Sequence, residues 1–578
     1  MILKYRDVMS VDKKTVVNIL NEIGLLLELK GENPFKSRAY YNAARTIEVL
    51  DDDIEKLIKE DRLKDVKGIG DAINKKLTEL VTTGRLEYYE NLKASIPEGL
   101  IEMLKIPGLG PKKIKTLYDK LDIKTVGELE YACIENRLVE LPGFGEKTQK
   151  KILEGIQFIK QFSGKHLFMD AYIEATSLKQ YLVDSGLTIR CEIAGSLRRR
   201  KEIVKDIDVL ATTESPEKLM DVFTKYEGIR DIVAKGETKT SITLRSGINV
   251  DLRVVKDEEF PYALHHFTGS KEHNTAMRHR AKQMGIKMNE YGLFKDELPI
   301  KCRDEEEIFN SLNLSYIPPE LRENMGEIEA AEKGLLPVLI EEKDIKGVFH
   351  VHTIYSDGAN TLFEMVNAAR DRGYKIIGIT DHSKSAFYAN GLKEEDVLRQ
   401  LDEIDELNSK YSDIKILKGI ESDILRDGSL DYDEDILRRF DFVIASVHSN
   451  FKMNKDDMTE RIIKAIKNRY TKIIGHMTGR LLLARDGYDI DVYKVIDSAA
   501  EYGKIIEINS SPYRLDIDWR YIKYAKEKGV KFAICPDAHR IEGLDDVKYG
   551  IGIARKGWLE AKDVINTYDF DELKMVLK

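Results

Sequence analysis

From residue 347 onward the chain alternates short β-branched runs with amphipathic helices, and few folds accommodate that order. Seven strand candidates recur, at 348–352, 376–380, 415–420, 441–447, 472–475, 505–508 and 531–534. Strands that each feed a helix argue for parallel pairing with crossover connections, closed into a barrel rather than opened as a sheet. In such a barrel the segments leaving the strands converge on one face. The histidines follow that geometry. All six beyond residue 340 (His350, His352, His382, His448, His476 and His539) end an apolar run beside carboxylates.

The stretches VFHVHTIYSD, IIGITDHS, ILKGIES, FVIASVHS, IIGHMTGR and FAICPDAH supply nine candidate ligands: His350, His352, Asp357, His382, Glu421, His448, His476, Asp537 and His539. Mixed imidazole and carboxylate suits two or three Mn2+ or Zn2+ ions better than Mg2+ alone. A closed structural site needs only about four ligands. Nine suit a cluster that activates water and clamps phosphoryl oxygens. His350 and His352, two apart on one strand, are expected on the same side of it. Arg480 and Arg514 have two readings, phosphate contact and solvated surface.

Upstream, IAGSLRRRKEIVKDIDVL places Asp206 and Asp208 two apart in a strand, so their carboxylates share a face. Asp251 in INVDLRVV adds a third acid. Three carboxylates on neighbouring strands can hold two Mg2+ (or Mn2+) ions, one at a 3′-hydroxyl and one on a triphosphate. Gly195 and Ser196 make a tight turn with exposed amides, and Arg198, Arg199 and Arg200 offer phosphate clamps.

Nearer the N-terminus, VKGIGDAINKKL, IPGLGPKKIKTL and LPGFGEKTQKKI share an apolar-Gly-apolar-Gly turn before a lysine-bearing helix. Gly68, Gly70, Gly108, Gly110, Gly143 and Gly145 let backbone approach a duplex, and the helix N-termini present amides to phosphates. The net charge of -9 supplies no global field for DNA, so contacts must be local. Residues 1–317 hold 52 Lys+Arg against 52 Asp+Glu, and residues 318–578 hold 40 against 49.

The pattern changes along the chain set domain limits: helical segments at 1–90 and 91–160, a helix-and-strand segment at 161–257, helix and turn at 258–317, a Pro-paired linker or strap at 318–340, and the barrel at 341–578. The expected class is multidomain α+β and α/β. No apolar run reaches the ~20 residues of a membrane span. MILKYRDVMS lacks the order of a signal peptide, and four scattered cysteines form no CxxC pair. A cytoplasmic, nucleoid-associated protein with no membrane partner is expected.

The barrel motifs resemble the complete series of the polymerase and histidinol phosphatase (PHP) family, which implies a distorted (β/α)7 barrel, a metal cluster and hydrolysis of phosphate esters. The segment from Gly195 to Asp208 resembles the palm of family X DNA polymerases such as polymerase beta. FTGSKEHNTAMRHRAKQMGIKMNEYGL resembles the nucleotide-binding helix of their thumb. That likeness implies Phe267 and Gly269 against the sugar, Asn274 on the incoming base or its minor-groove edge, and Arg278 on the template. It sets Gly195, Ser196 and Arg199 around the nucleotide and Asp251 nearest the primer hydroxyl. His266 stands where polymerase beta has tyrosine, a departure that bears on sugar discrimination.

The hairpin turns resemble the helix-hairpin-helix units of the same polymerases, with one hairpin more and a monovalent cation expected at the motifs. Lys76 aligns with the Schiff-base lysine of the family's deoxyribose-phosphate lyase domain, and Lys36 and Tyr40 with 5′-phosphate contacts. Ala72 replaces another lysine there, so lyase chemistry and phosphate binding alone both stay open. Nearly the whole chain is similar to a bacterial-type family X DNA polymerase with a C-terminal PHP domain. That implies gap filling in DNA repair on gapped or primer-template DNA with dNTPs, alongside other repair proteins. It also implies a 3′→5′ exonuclease, with abasic-site or 3′-phosphate processing as further options. Two other classes compete: a small-molecule phosphatase with a DNA-binding arm, and a non-catalytic DNA-end scaffold. The complete acid triad counts against the first, and nine ligands against the second.

Overall fold

The computed structural model describes residues 12–50, 52–139, 141–160 and 164–578, so the reading of MILKYRDVMS lies outside the described residues. Two compact units result: residues through Cys133 with Leu138–Ile159, and Ile134–Arg137 with Lys160–Lys578.

The first unit is helical. Asp12 caps Lys13–Lys30 by accepting from the Thr15 N–H, and left-handed Gly31 ends it. Asn33 caps Pro34–Glu48, with proline in the first turn where its missing N–H costs nothing. Leu20, Ile23, Leu27, Ala43 and Ile47 share one core with Leu77, Leu100, Ile114 and Ile152. Each hairpin turn leads into a helix: Asp71–Thr83, Pro111–Leu121 and Glu146–Lys160. Gly68, Gly108 and Gly143 hold φ of +100°, +81° and +85°, which L side chains rarely adopt.

In the second unit a five-stranded sheet forms the palm. Strand Arg190–Ile193 lies antiparallel to Asp206–Thr212, which runs parallel to Asn249–Val255; Lys239–Leu244 and Ile229–Lys235 complete it antiparallel. Ile207 and Val209 join Ala175, Leu178, Leu219 and Phe223 in the core, which turns the alternate residues Asp206 and Asp208 to the other face. The thumb follows with helices Phe260–Thr268 and Lys271–Gln283, the latter capped by Ser270. Residues 318–340 pack as a strap: Leu321, Ile328 and Ala331 enter the thumb core, and Arg322 and Glu327 are fully buried.

Seven parallel strands, Gly347–Val351, Ile376–Ile379, Lys415–Asp423, Phe442–Ser446, Thr471–Ile474, Ile505–Asn509 and Phe532–Cys535, pair in chain order. The first and last meet through a Val351–Ala538 bridge, which nearly closes the barrel. Its interior packs Phe349, Phe442, Ile444 and Ile473 with Leu573 and Leu577 of the last helix. Gly378 and Gly419 make room there, since a Cβ on either would lie 2.7 or 2.6 Å from the Phe442 ring. Palm and barrel apolar residues form one continuous cluster.

Two expectations about the strands need correction. Glu421 lies within its strand, not after it. His350 and His352 do come together, with ring centroids 5.2 Å apart, but not by simple alternation. The pairing register shifts between Val348 and Val351, and His350 takes φ +61°. That break lets His350 follow Phe349 to the inside of the barrel.

Candidate active sites

The nine barrel residues are all buried or nearly so and converge at one end of the sheet. Three overlapping sets have ligand atoms within 4.8 Å of one another: His352, Asp357, His382 and His539; His350, His352 and Asp537; and His382, Glu421 and His448. His476 stands beside them, its Nε2 3.0 Å from Glu421 Oε1 and 3.3 Å from His448 Nε2. Glu421 is central, since His382 Nδ1 and His350 Nε2 also approach it, to 2.9 and 3.2 Å.

The donor set fits divalent ions. His352 Nδ1, His382 Nε2, His539 Nε2 and Asp357 Oδ2 are buried with no hydrogen bond. One such orphan costs about 1–3 kcal/mol, so a convergent group of them is the signature of bound cations. Burial lowers His352 to about 3, helped by His539 and His382, and keeps it the neutral imidazole that ligates metal. Burial works against charge on Glu421, yet His350, His448 and His382 hold it well below the ordinary carboxylate range.

Three orienting carboxylates escaped the sequence reading. Glu507 Oε2 lies 2.5 Å from His350 Nδ1, while its Oε1 accepts from the His476 N–H at 3.0 Å and Asn509 Nδ2 at 2.8 Å. Asp423 Oδ1 lies 2.6 Å from His448 Nδ1. Asp381 accepts from the N–H and hydroxyl of both Thr353 and Ser356 and from Gln400 Nε2, fixing the loop that carries Asp357. Such partners set ring tautomer and orientation. Signals existed for two. Glu507 is a lone acid in the apolar strand IIEIN, and Asp423 follows Glu421 by two residues in a strand. Neither arginine is a solvated surface group. Buried Arg514 lies 3.8 Å from Asp537 Oδ2, whereas Arg480 donates to the Arg514 and Leu515 carbonyls and pairs with Asp518 and palm Glu202.

On the palm, Asp208 and Asp251 are register partners on parallel strands, with Asp206 two residues away on the same face. Burial, then Asp206 and Asp251, push the Asp208 carboxyl up to about 6. A buried carboxyl raised by two neighbouring acids invites a compensating cation. Asp251 accepts from Ser241 Oγ at 2.5 Å and pairs with Lys239 Nζ at 2.7 Å. Gly195 has φ +64°, and a Cβ there would lie 2.4 Å from Asp208 Oδ2, so glycine is required.

Ser196 sits in the same turn, the short helix Gly195–Arg198. Arg198 pairs with Glu305, Arg199 with Glu323, and Arg200 lies over the Phe168 and Tyr172 rings. Gly269 approaches Arg199, 3.1 Å separating its would-be Cβ from Nη1. Phe267 stacks under Arg253 at 4.5 Å. Asn274 Nδ2 donates to the His266 carbonyl at 2.7 Å, while its Oδ1 is buried with no hydrogen bond. Arg278 is exposed on the helix beyond.

Within the helical unit, Lys76 Nζ lies 4.3 Å from the Tyr88 ring centre and 5.9 Å from that of Tyr40, while exposed Lys36 pairs with Glu32. A Cβ at Gly70, Gly108, Gly110, Gly143 or Gly145 would meet nothing within 4 Å, so the hairpin turns are open to an approaching backbone.

A carboxylate triad on a palm sheet and a histidine cluster in a parallel barrel define a divalent-metal-dependent enzyme with two centres. Family models agree: helix-hairpin-helix domain over residues 11–86, SAM-like helix-hairpin-helix tandem over 100–157, DNA polymerase beta thumb over 263–323 and PHP domain over 349–511. The DNA polymerase/3′-5′ exonuclease PolX of Bacillus subtilis (strain 168) is 39% identical over 98% of this chain and 99% of its own. The chain belongs to the PolX family, the family X DNA polymerases that carry a PHP domain. A probable phosphatase of Thermoanaerobacter sp. (strain X514) is 35% identical over 40% of this chain and 93% of its own. A ternary-complex structure of Leishmania infantum polymerase beta matches at 22% identity and TM-score 0.26, covering 39% of this chain and 99% of that one. No helix among the described residues is long and apolar enough to cross a membrane.

Proposed function

We propose that this chain fills short gaps in DNA by nucleotidyl transfer at Asp206, Asp208 and Asp251, and trims or repairs 3′ ends by phosphodiester hydrolysis in the barrel. The register pairing of Asp208 with Asp251 carries the first half of this reading. Divalent ions held by the two ligand sets, Mg2+ or Mn2+ on the palm and Mn2+ or Zn2+ in the barrel, would supply Lewis acidity to the reacting phosphates.

The chain's own residues do the rest. Asp251, steadied by Ser241 and Lys239, is the acid nearest the primer and takes its hydroxyl proton. Gly195, Ser196 and Arg199 bind the triphosphate, and Phe267, Gly269 and Asn274 hold the nucleoside, to which the unbonded Asn274 Oδ1 offers an acceptor. Arg278 and the hairpin turns grip template and duplex backbone without reading sequence. In the barrel, Glu507 and Asp423 orient His350 and His448, and Arg514 neutralises substrate phosphate beside Asp537. Lys76, Lys36 and Tyr40 receive a 5′-phosphate. The setting is nucleoid DNA in the cytoplasm, in repair.

Chelation followed by refilling tests the barrel assignment. Mn2+ or Zn2+ should restore cleavage of a 3′-recessed duplex. No cleavage after refilling would sink it and favour a non-catalytic scaffold.

A further inference from the structure

Lys556 ends the barrel helix Val547–Lys556, and its side chain is completely buried. Its ammonium donates to the Arg199 carbonyl at 3.0 Å and to Glu323 Oε1 at 2.6 Å, with the Glu320 carbonyl at 3.4 Å and the Trp519 ring centre at 4.5 Å. Arg199 Nε donates to the same Glu323 oxygen at 3.1 Å, and its Nη1 to the Thr268 carbonyl. Lys201 Nζ lies 3.6 Å from the other Glu323 oxygen. One carboxylate, 9% exposed, thus serves three cations, and the strap that carries it also carries Arg322 and Glu320.

A buried ammonium costs several kcal/mol unless it is paired and hydrogen-bonded, and Glu323 with the Arg199 carbonyl meets that need for Lys556. Burial pulls its pKa down to about 8 against the attraction of Glu323. The surplus of positive charge sits one residue beyond the Gly195–Arg198 turn, which abuts Asp208 closely enough to exclude a Cβ. For Arg199 to take an anion arriving at the neighbouring acids, Glu323 must let it go. Lys556 shares Glu323 and weakens that hold.

We propose that Lys556, a residue of the barrel, is a positioning residue for the palm: by sharing Glu323 it keeps Arg199 available to an incoming nucleoside triphosphate. The proposal rests on the nucleotidyl-transfer reading of the palm. Removing the ammonium leaves Glu323 Oε1 to Arg199, with only the more distant Lys201 on the other oxygen, which penalises triphosphate binding without touching the reacting atoms. Neutralising Glu323 as well then frees Arg199.

The test is steady-state dNTP incorporation on gapped DNA by the full chain, wild type against Lys556→Met, Glu323→Gln and the double variant. Lys556→Met should raise KM for dNTP roughly tenfold with kcat changed less than about twofold, while 3′-end cleavage is unchanged. The double variant should return KM to near the wild-type value. A KM for Lys556→Met within twofold of wild type overturns the proposal. So does a parallel fall in kcat and in cleavage with a lowered Tm, or a double variant as impaired as the single. Absence of incorporation by the wild-type protein would be a failure of the palm reading itself, and the proposal would fall with it.

Discussion

Single residues carry charge balances that can be tested directly. Burial pushes the Glu305 carboxyl up, yet Arg322 and Arg198 hold it below the ordinary range, with Arg322 itself fully buried. A depressed carboxylate contributes stability that is present above its unfolded value, 4.5, and is lost as pH falls through the lower folded value. Glu305→Gln should therefore destabilise the protein by about 3 kcal/mol at pH 7, because two arginines lose their partner. Denaturant titrations should show that gap shrinking below pH 4.5; a constant gap would contradict the sign. In the barrel, Glu507→Gln should weaken metal retention roughly 10–100-fold in chelator competition, whereas unchanged retention would remove its orienting role. Glu507 shows why such groups are hard to read. A ligand announces itself by type and strand-end position; a lone acid in an apolar strand signals only that it has a partner, and which one is not legible, since His350 is 157 positions away in the chain.

At the level of elements, periodicity was enough for the barrel. Seven β-branched runs match seven strands to within a few residues, because buried parallel strands tolerate little but apolar side chains. What periodicity misses is local irregularity. The positive φ of His350 and the register shift around it set its side relative to Phe349, and no residue type signals them. The hairpin turns are the opposite case, since their glycines are legible because the backbone needs them. Gly110 has an ordinary φ and open space beside it, so Gly110→Ala should fold normally. It should nonetheless weaken duplex binding roughly fivefold, about 1 kcal/mol, as a methyl group holds the DNA backbone off. Fluorescence anisotropy on gapped duplex reads this, and unchanged affinity would remove this turn from the DNA contact.

For the whole molecule, the sequence separated a polymerase-like half from a hydrolase-like half, and the candidate residues that the structure brings together in the barrel were legible from their motifs. Their union was not. Palm and barrel share a continuous apolar cluster, and residues 318–340, Pro-paired and acidic, bury Arg322 and Glu327 where a free tether would bury nothing. Burial of a charged segment is invisible to composition, since its partners, Glu305 for Arg322 and His273 for Glu327, lie elsewhere. Two centres on one scaffold should still be separable by mutation, and that is the central claim. The decisive measurement is paired activity on a single gapped substrate, with dNTP incorporation and 3′-end cleavage followed together in Asp208→Ala and His350→Ala. Asp208→Ala should abolish incorporation and spare cleavage, and His350→Ala should do the reverse. Incorporation that survives Asp208→Ala, or one variant silencing both activities in a folded protein, would contradict it.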